Sequence, residues 1–334
     1  VARRHIDIPG SAGLAEAARR QEGPGVAVRL DSHLVGDDGA RGERICPLLE
    51  PVATDRPGGD IAKNAVRELI TREGVDWESP NPDDPWANIG YWGDHQVIYL
   101  LKLLELLDRH MPGALDTLLD REIYSYAEVP YRIRPYEDIL ADQASTIDFD
   151  DALEARIQAR VEVEGTDGRL MQATDGTPYH VNLFEKLIVP VLSKLSNLVP
   201  GGGIWMNTQR PEWNDANNAL AGFGASMVTP YYARRYTAFC LDLFHALGRE
   251  EVEMNQEVAE WLDGTCAVLD QHRDLLDGRE IDDAHRKRVL DGLAGTAGDY
   301  RAGVYRSGLS GVVRGVGAGT IRDFLELTLQ YLDH

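Results

Sequence analysis

Cysteine is scarce in this chain. Its three cysteines, Cys46, Cys240 and Cys266, are widely separated, and none forms a CxxC pair. A disulfide framework or a zinc site built on paired cysteines is therefore not expected, and Cys240 and Cys266 are predicted to be small buried residues of helices. Such cysteine usage is typical of a reducing compartment, which predicts a cytoplasmic protein.

Long apolar runs are also missing. No stretch reaches the roughly 20 apolar residues that a membrane-spanning helix needs. The N-terminal sequence VARRHIDIPG lacks the apolar core of a secretion signal. The chain begins on Val1 rather than on methionine, which leaves room for further domains of a longer parent chain.

Basic residues are few relative to acidic ones. Against 34 Lys and Arg stand 55 Asp and Glu, so the formal net charge is −21. A field of this sign repels nucleic acids and anionic membranes, so neither is expected as a partner, whereas a neutral hydroxylated ligand is unaffected. With 43% hydrophobic residues among 334, the chain can bury a large core in one domain or two.

Apolar residues recur at helical spacing through most of the chain. Residues 93–109 carry the strongest pattern, and 148–163 begin with an acidic first turn, which the helix dipole favours. Residues 180–198 form another apolar helix, in which Pro190 predicts a kink or a break. Similar patterns predict helices at 60–73, 226–247, 251–274, 282–297 and 318–332.

Long polar connections rich in Gly and Pro separate these helices, at 74–92, 123–147, 164–179 and 199–214. Loops of this length in compact domains tend to be functional. A repeated order of helix and long loop is the pattern of an all-α toroid of helix pairs, whole or incomplete, whose site is built by loops at one end. Residues 1–55 lack this periodicity and are predicted to be an irregular or β lead-in before a barrel domain at 56–334. We therefore expect few strands, mostly before residue 60.

The segment 204–224, IWMNTQRPEWNDANNALAGFG, concentrates polar and aromatic side chains. A core helix cannot bury so many hydrogen-bonding groups without leaving some unpaired, at about 1–3 kcal/mol each. Flat aromatic faces beside amides and carboxylates suit a sugar, which has apolar ring faces and hydroxylated edges. An ordinary helix start capped by Asn214 or Asp215 is the structural alternative. The candidate ligand-binding residues are Gln209, Arg210, Glu212, Trp213, Asp215 and Asn218.

A second constellation, WANIGYWGDHQ at 86–96, lies at the start of the strongest helix. Trp92 and Asp94 are candidates for contacts with a sugar ring and its hydroxyls. Capping of the helix by Asp94 is the alternative. Calcium binding by Asp76, Asp83, Asp84 and Asp94 matches no defined loop, so no metal site is predicted.

The two motifs resemble those of a known enzyme superfamily. IGYWGDHQVIYL is similar to the IGYRDxxQD segment of the cellobiose and chitobiose phosphorylases. PEWNDANNAL is similar to their DWNDxxN segment and to the TWMDA segment of the glycogen-debranching glucosidase. These enzymes are six-hairpin, (α/α)6-barrel proteins that act on glycosidic bonds. The motifs occur here in the family's order, about 120 residues apart.

This resemblance implies roles for three residues. Asp215 corresponds to the general acid, Trp213 to a wall of the subsite for the cleaved sugar, and Asp94 to a group that binds hydroxyls of that sugar. Two positions depart from the family pattern. Gly93 stands, offset by one residue, where the family has Arg, and Glu212 replaces the first motif Asp.

Cleavage of a glycosidic bond sets further requirements. Asp215 has to stay protonated near neutral pH, and Trp213 and Glu212 would raise its pKa. Hydrolysis with inversion also needs a base roughly 6.5–9.5 Å away, for which Glu185 and Asp167 are candidates. Phosphorolysis uses inorganic phosphate as co-substrate instead, and neither reaction needs an organic cofactor. Groups that could hold phosphate are Arg301, Tyr305, Arg306, Ser307, Ser310 and Arg314.

Three other functions are open at this point. DFDD at 148–151 matches the DxDD acid motif of protonating terpene cyclases, although an acidic helix start also explains it. A polysaccharide lyase on the same toroid would use Tyr126 or Tyr131 with His180. A non-catalytic carbohydrate-binding barrel is the third.

A spatial expectation follows for the glycosidase interpretation. Residues 86–96 and 205–218 should lie at one end of the barrel, and the loops 123–147 and 164–179 should surround the same cleft. Within the first of these loops, the expected sugar contacts are Tyr126, Tyr131 and Arg132.

Overall fold

Helices dominate the structure. The computed structural model describes residues 93–143, 145–207, 222–246, 248–278 and 280–334, which belong to one compact unit of the chain. Most of these residues are helical, in agreement with the predicted all-α class. The α-helices of the described part are α1 (Gly93–His110), α2 (Ala114–Leu118), α3 (Tyr136–Ala141), α4 (Asp151–Glu164), α5 (Leu183–Leu195), α6 (Val228–Ala246), α7 (Gln256–Gln271), α8 (Asp283–Ser307) and α9 (Ala318–Asp333). Short 3-10 helices span Gly165–Arg169 and Arg273–Leu276.

Seven short strands connect the helices in the described part: β1 (Tyr131–Ile133), β2 (Ile147–Phe149), β3 (Leu198–Val199), β4 (Gly203–Trp205), β5 (Ala225–Ser226), β6 (Glu251–Asn255) and β7 (Val313–Gly317). They form three antiparallel sheets, β1–β2, β3–β4–β5 and β6–β7. The sequence analysis placed strands mostly before residue 60, a region outside the described residues, and did not predict these seven.

Residues 251–255 illustrate the difference, because they were expected to begin a helix and instead form β6. Val252 and Met254 are buried while Glu251 and Glu253 are exposed. This alternation has the period of a strand, and the partner strand β7 lies about 60 residues further along the chain. The helix starts only after Asn255, at Gln256.

The predicted helices at 93–109, 148–163, 226–247 and 318–332 are confirmed within a few residues. Two others differ in extent. Helix α5 continues through Pro190 without a break. Helix α8, predicted to end at 297, runs to Ser307 and stops at Gly308, whose φ of 71° favours glycine.

Helix α5 lies at the centre of the described helices. Apolar side chains are buried along its length, and it contacts α1, α6, α7 and α8. The buried side chains are Leu183, Phe184, Leu187, Ile188, Val191, Leu192 and Leu195. A helix that is apolar on most sides is typical of a core position, and each such side chain contributes about 1.5–3 kcal/mol on burial.

The direction of the helices defines two ends of this bundle. Helix α5 begins beside Leu119, whose carbonyl accepts a hydrogen bond from Leu183, and is followed directly by β3. We name these ends by the elements found there. The Asn255 end holds the start of α5 and the junction of β6 with α7, and the β4 end holds the finish of α5 and the sheet β3–β4–β5.

Candidate functional site

Most of the predicted site residues lie outside the described residues. These are Trp92, Gln209, Arg210, Glu212, Trp213, Asp215 and Asn218. Asp94 is the second residue of α1, and Tyr131 is the first residue of β1, opposite Phe149. The described elements that adjoin the two motifs are therefore α1 and the strands on either side of residues 208–221.

Strands β4 and β5 anchor the motif segment 208–221. They pair antiparallel, with Trp205 opposite Ala225. Beyond this pair, the Met206 N–H donates to the Gly224 carbonyl at 2.9 Å, and the Gly222 N–H donates to the Met206 carbonyl. The Trp205 indole N–H also donates to the Gly222 carbonyl, at 3.1 Å. Met206 and Gly222, which stand before and after the segment 208–221, therefore lie next to each other.

This anchor packs against the loop that follows α3. The ring of Trp205 makes an edge-to-face contact with Tyr136 at a centroid distance of 6.4 Å. The Tyr136 hydroxyl donates to Asp291 of α8 at 2.6 Å. Burial and this carboxylate raise the pKa of Tyr136, so the phenol stays a neutral donor at ordinary pH. Tyr136 thereby links strand β4 to α8.

Gly222 is required at this anchor. Its φ is 83°, and a Cβ there would overlap the backbone carbonyl oxygen of Gln143. We expect Gly222→Ala to lower the free energy of unfolding by about 2 kcal/mol or more and to reduce any activity that depends on 208–221. Gly295→Ala is the matched control, because nothing lies within 4 Å of its Cβ position in α8. This control should raise stability by about 0.5–1 kcal/mol, measured by urea unfolding. Equal stability of the Gly222 variant and the wild-type chain would contradict the assignment.

The start of α1 lies at the same end of the bundle as this anchor. Arg235 of α6 pairs with Glu105 of α1 at 2.6 Å. Asp120, ten residues after the end of α1, pairs with Arg249, three residues after the end of α6. Because the connection from α1 to Asp120 is short and partly helical, we infer that α1 and α6 run parallel. Helix α6 begins at Val228, two residues after β5. The beginnings of α1 and α6 therefore both face the β4 end.

Helical geometry gives the offset between these two beginnings. Glu105 lies 12 residues after Gly93, a rise of about 18 Å, and Arg235 lies 7 residues after Val228, a rise of about 10 Å. The start of α1, with the backbone of Asp94, thus extends about one and a half helical turns beyond the start of α6. A cleft shared by Asp94 and the segment 208–221 requires this arrangement.

Glu185, one candidate for the base, occupies a different environment. It is 1% exposed and lies in the first turn of α5, at the Asn255 end. Its carboxylate accepts from the Tyr126 hydroxyl at 2.7 Å, from the Asn255 N–H at 2.6 Å and from Asn255 Nδ2 at 2.9 Å. With its oxygens occupied and no contact with bulk water, Glu185 joins α5 to β6 and is poorly placed to activate a water molecule.

Tyr126, expected as a sugar contact or as the base of a lyase, belongs to the same network. Burial first, and then the charge of Glu185, raise its pKa well above the ordinary value. A lyase base has to lose its proton readily, so this environment does not favour the lyase alternative. His180 is exposed. Arg132 is also engaged within the protein, in an ion pair with Asp150 at 3.0 Å and over the ring of Tyr305.

Asp167 lies away from the β4 end, and the DFDD motif has a structural role. Asp167 lies in the 3-10 helix Gly165–Arg169, within a loop whose Met171 N–H donates to the Tyr126 carbonyl. The loop 164–179 therefore lies at the Asn255 end rather than beside the β4 end, contrary to expectation. In DFDD, Asp150 caps α4 by accepting from the Leu153 N–H at 2.9 Å, and this bond lowers its pKa. A proton donor would need a raised pKa, so the acidic helix start explains the motif.

The residues proposed to hold phosphate do not converge. Arg314 pairs with Asp263 at 2.6 Å, and the Ser310 N–H donates to Glu257 Oε1 at 2.8 Å. The Ser307 hydroxyl donates to the Gly303 carbonyl, and Arg306 is exposed. In the described part of the chain this stretch therefore shows no phosphate cradle.

Lys186 lies beside the Glu185 network and should make stability depend on pH. Its ammonium donates to the Ser125 carbonyl at 2.8 Å, 4.0 Å from the centre of the Tyr126 ring. Burial lowers its pKa to about 8, against the opposing effect of Glu185. Between pH 8 and about 10 the unfolded chain keeps a proton that the folded chain has lost, so folding gains stability as pH rises.

We therefore expect the stability of the wild-type chain to rise relative to Lys186→Met across this pH range. The difference in free energy of unfolding between the two proteins should grow by up to about 1.4 kcal/mol per pH unit in this range. Below pH 7 that difference should be constant. Urea unfolding at a series of pH values measures it, with the exposed Lys102→Met as control. Parallel curves for the wild-type chain and Lys186→Met from pH 8 to 10 would contradict the prediction.

Asn255 and Tyr179 were missed by the sequence analysis. The Tyr179 hydroxyl donates to Asn255 Oδ1, which completes the network around Glu185. The available signal was an Asn at the end of an alternating apolar pattern, directly before a helix. Such a residue often bonds backbone groups at a strand–helix junction.

No protein-family model matches the chain, and no curated protein matches it. Within the described residues, no helix combines the length and apolar character needed to cross a lipid bilayer.

Proposed function

We propose that this chain is the helical catalytic domain of an enzyme that cleaves a glycosidic bond in an oligosaccharide with inversion. The observation that supports it is that the described elements beside the two motifs lie at the same end of the helix bundle. The start of α1, which carries Asp94, and the strands that anchor 208–221 both lie at the β4 end. Two sugar-binding motifs about 120 residues apart in sequence can therefore serve one cleft. The finer architecture proposed is an (α/α)6 toroid, with these loops at its open end.

In the proposed reaction, Asp215 gives its proton to the oxygen of the leaving sugar. Glu212 and the ring of Trp213 keep that proton in place near neutral pH by charge repulsion and by excluding water. Trp92 and Trp213 contact sugar ring faces. Hydroxyl groups of the substrate bind Asp94, Gln209, Arg210, Asn218 and Tyr131.

The attacking group is water or inorganic phosphate. We do not assign the base to Glu185 or Asp167, because both lie at the Asn255 end. If water attacks, another carboxylate activates it. The reaction needs no organic cofactor, and we propose that the enzyme acts in the cytoplasm, as part of a longer parent chain or alone.

A sugar-release assay on a panel of disaccharides, with and without inorganic phosphate, tests this function. Release that requires phosphate and yields a sugar phosphate indicates phosphorolysis, and release without it indicates hydrolysis. Polarimetry of the fresh product reports whether the anomeric configuration is inverted. Binding of a disaccharide with no turnover would replace the proposal with a carbohydrate-binding barrel, which is the main alternative.

A further inference from the structure

Strand β7 forms an open edge of its sheet. The sheet β6–β7 has no third strand among the described residues. The outer edge of β6 is closed by the start of α5, where Asn182 Nδ2 donates to the Glu253 carbonyl at 2.7 Å. The Glu185 carboxylate accepts from the Asn255 N–H at the same edge. Within the part of the chain that the structure describes, no such group closes the outer edge of β7.

The register of the ladder shows which backbone groups lie at this edge. Residues of an antiparallel strand alternate between those that bond the partner strand and those whose N–H and C=O point away from it. The bond from the Ala318 N–H to the Glu250 carbonyl sets this alternation in β6–β7. The N–H groups of Val313, Gly315 and Gly317 and the carbonyls of the first two therefore point outward. Both glycines are exposed, and a glycine exposes its backbone itself.

The usual protection of an edge strand is missing from β7. Edge strands are commonly guarded by proline or by charged side chains that point outward. The sequence of β7, VRGVG, has no proline, and the charge of Arg314 is engaged with Asp263 of α7 in an ion pair at 2.6 Å. Val312 and Val313 are 51% and 49% exposed. Such an edge can accept a strand from another chain.

The charge beside this edge is negative. Glu251 and Glu253 of β6 are exposed and lie on one face of the sheet. Their partners across the ladder are Gly317 and Gly315. The carboxyl group of Glu251 fills the space that a Cβ at position 315 would take, so it lies over β7. Among the described residues, neither carboxylate has an ion-pair partner.

We infer that the open edge of β7 binds an extended peptide segment that carries basic residues at alternate positions. The outward N–H and C=O groups of β7 bond the peptide backbone. Alternate side chains of an added strand lie on the face of Glu251 and Glu253, where lysine or arginine pairs with these carboxylates.

A second copy of this chain suits the edge less well than a basic peptide. Pairing of two β7 strands about a two-fold axis would bring the Glu251 carboxylates of both copies to one face of the joined sheet. Each copy also carries a net charge of −21, so the copies repel each other. Strand β7 begins opposite Asn255, whereas the anchor of 208–221 lies at the β4 end. Peptide binding therefore does not depend on the proposed cleavage of sugars.

Fluorescence anisotropy of labelled peptides with the full chain tests the inference. The probe is a peptide of alternating lysine and valine. It should bind saturably, and its affinity should fall as salt is added. Two control peptides should bind at least about tenfold more weakly. One has glutamate in place of lysine, and the other keeps lysine and valine but is methylated at every backbone nitrogen, which preserves charge and removes the donors of a strand.

Variants of the protein locate the binding edge. Val313→Pro removes an outward N–H at the first residue of a strand, where proline is tolerated, and should weaken binding about tenfold or more. Glu251→Gln combined with Glu253→Gln should weaken it about fivefold at low salt. The exposed Glu326→Gln on α9 is the control for a change of charge elsewhere and should leave the affinity unchanged. Circular dichroism checks that each variant folds.

The inference is overturned if the lysine–valine peptide does not bind, or if Val313→Pro binds it as the wild-type chain does. Equal affinity for the methylated peptide would mean that charge alone attracts it. A wild-type dimer that Val313→Pro dissociates, seen by analytical ultracentrifugation, would assign the edge to a second copy instead. None of these measurements uses sugar cleavage, so failure of the peptide site and failure of the proposed function are separate results.

Discussion

Asp215→Asn should reduce cleavage of oligosaccharides with ordinary sugar leaving groups by about a thousandfold or more. The amide cannot supply the proton that such a leaving group needs, and general acid catalysis contributes about 10²–10⁴-fold. Substrates with acidic, activated leaving groups, such as nitrophenyl glycosides, should lose far less, because they depart without protonation. Binding of the disaccharide should persist, since the amide keeps the shape of the side chain. Steady-state kinetics on matched pairs of substrates measure the contrast.

Glu212→Gln is the companion variant. If the Glu212 charge only raises the pKa of Asp215, this variant should move the alkaline limb of the activity profile to lower pH and retain turnover. An inactive Glu212→Gln beside a merely weakened Asp215→Asn would transfer the acid role to Glu212. Equal losses on activated and ordinary substrates in Asp215→Asn would show that Asp215 caps a helix instead.

Asn255→Leu should lower the free energy of unfolding by about 3 kcal/mol or more. The change removes the Nδ2 donor from the buried carboxylate of Glu185 and the acceptor of the Tyr179 hydroxyl. Loss of one partner of a buried charge costs about 3–5 kcal/mol. The bonds that Glu185 keeps with the Tyr126 hydroxyl and the Asn255 N–H reduce this cost. Urea unfolding, followed by circular dichroism, provides the measurement.

The neighbouring Gln256→Leu is the matched control for this variant. Gln256 is exposed and its amide reaches only Glu260, so its replacement should change stability by about 0.5 kcal/mol or less. Similar effects of the two substitutions would mean that the Glu185 network contributes little to folding.

The helices could be predicted from the sequence because their signals are local. The acidic first turn before α4 contains the Asp150 cap itself, and the apolar face of α1 is visible within 18 residues. Strand β6 was missed because its five residues form a strand only with β7, from Val313 onward. Short strands depend on such distant partners more than helices do.

The candidate site, too, could be predicted from local sequence only in part. The motifs at 86–96 and 211–220 were predicted from residue types and from their resemblance to segments of known enzymes. The role of Glu185 as a buried link could not be predicted from its sequence context, because a carboxylate in the first turn is common at ordinary helix starts. Its burial follows from contact with Tyr126 and Asn255, which lie 59 and 70 residues away.

By itself, the sequence determined the helical class, the positions of most helices and the net charge of −21, and it supplied the two motifs on which the proposed function rests. These depend on composition and on patterns within about 20 residues. Only the tertiary structure decided which loops share an end, that Glu185 joins α5 to β6, and that Trp261 stacks on Tyr300. Helix directions and buried polar pairs are set by the packing of the whole core, because a side chain gains its burial and its partners from segments far away in the chain.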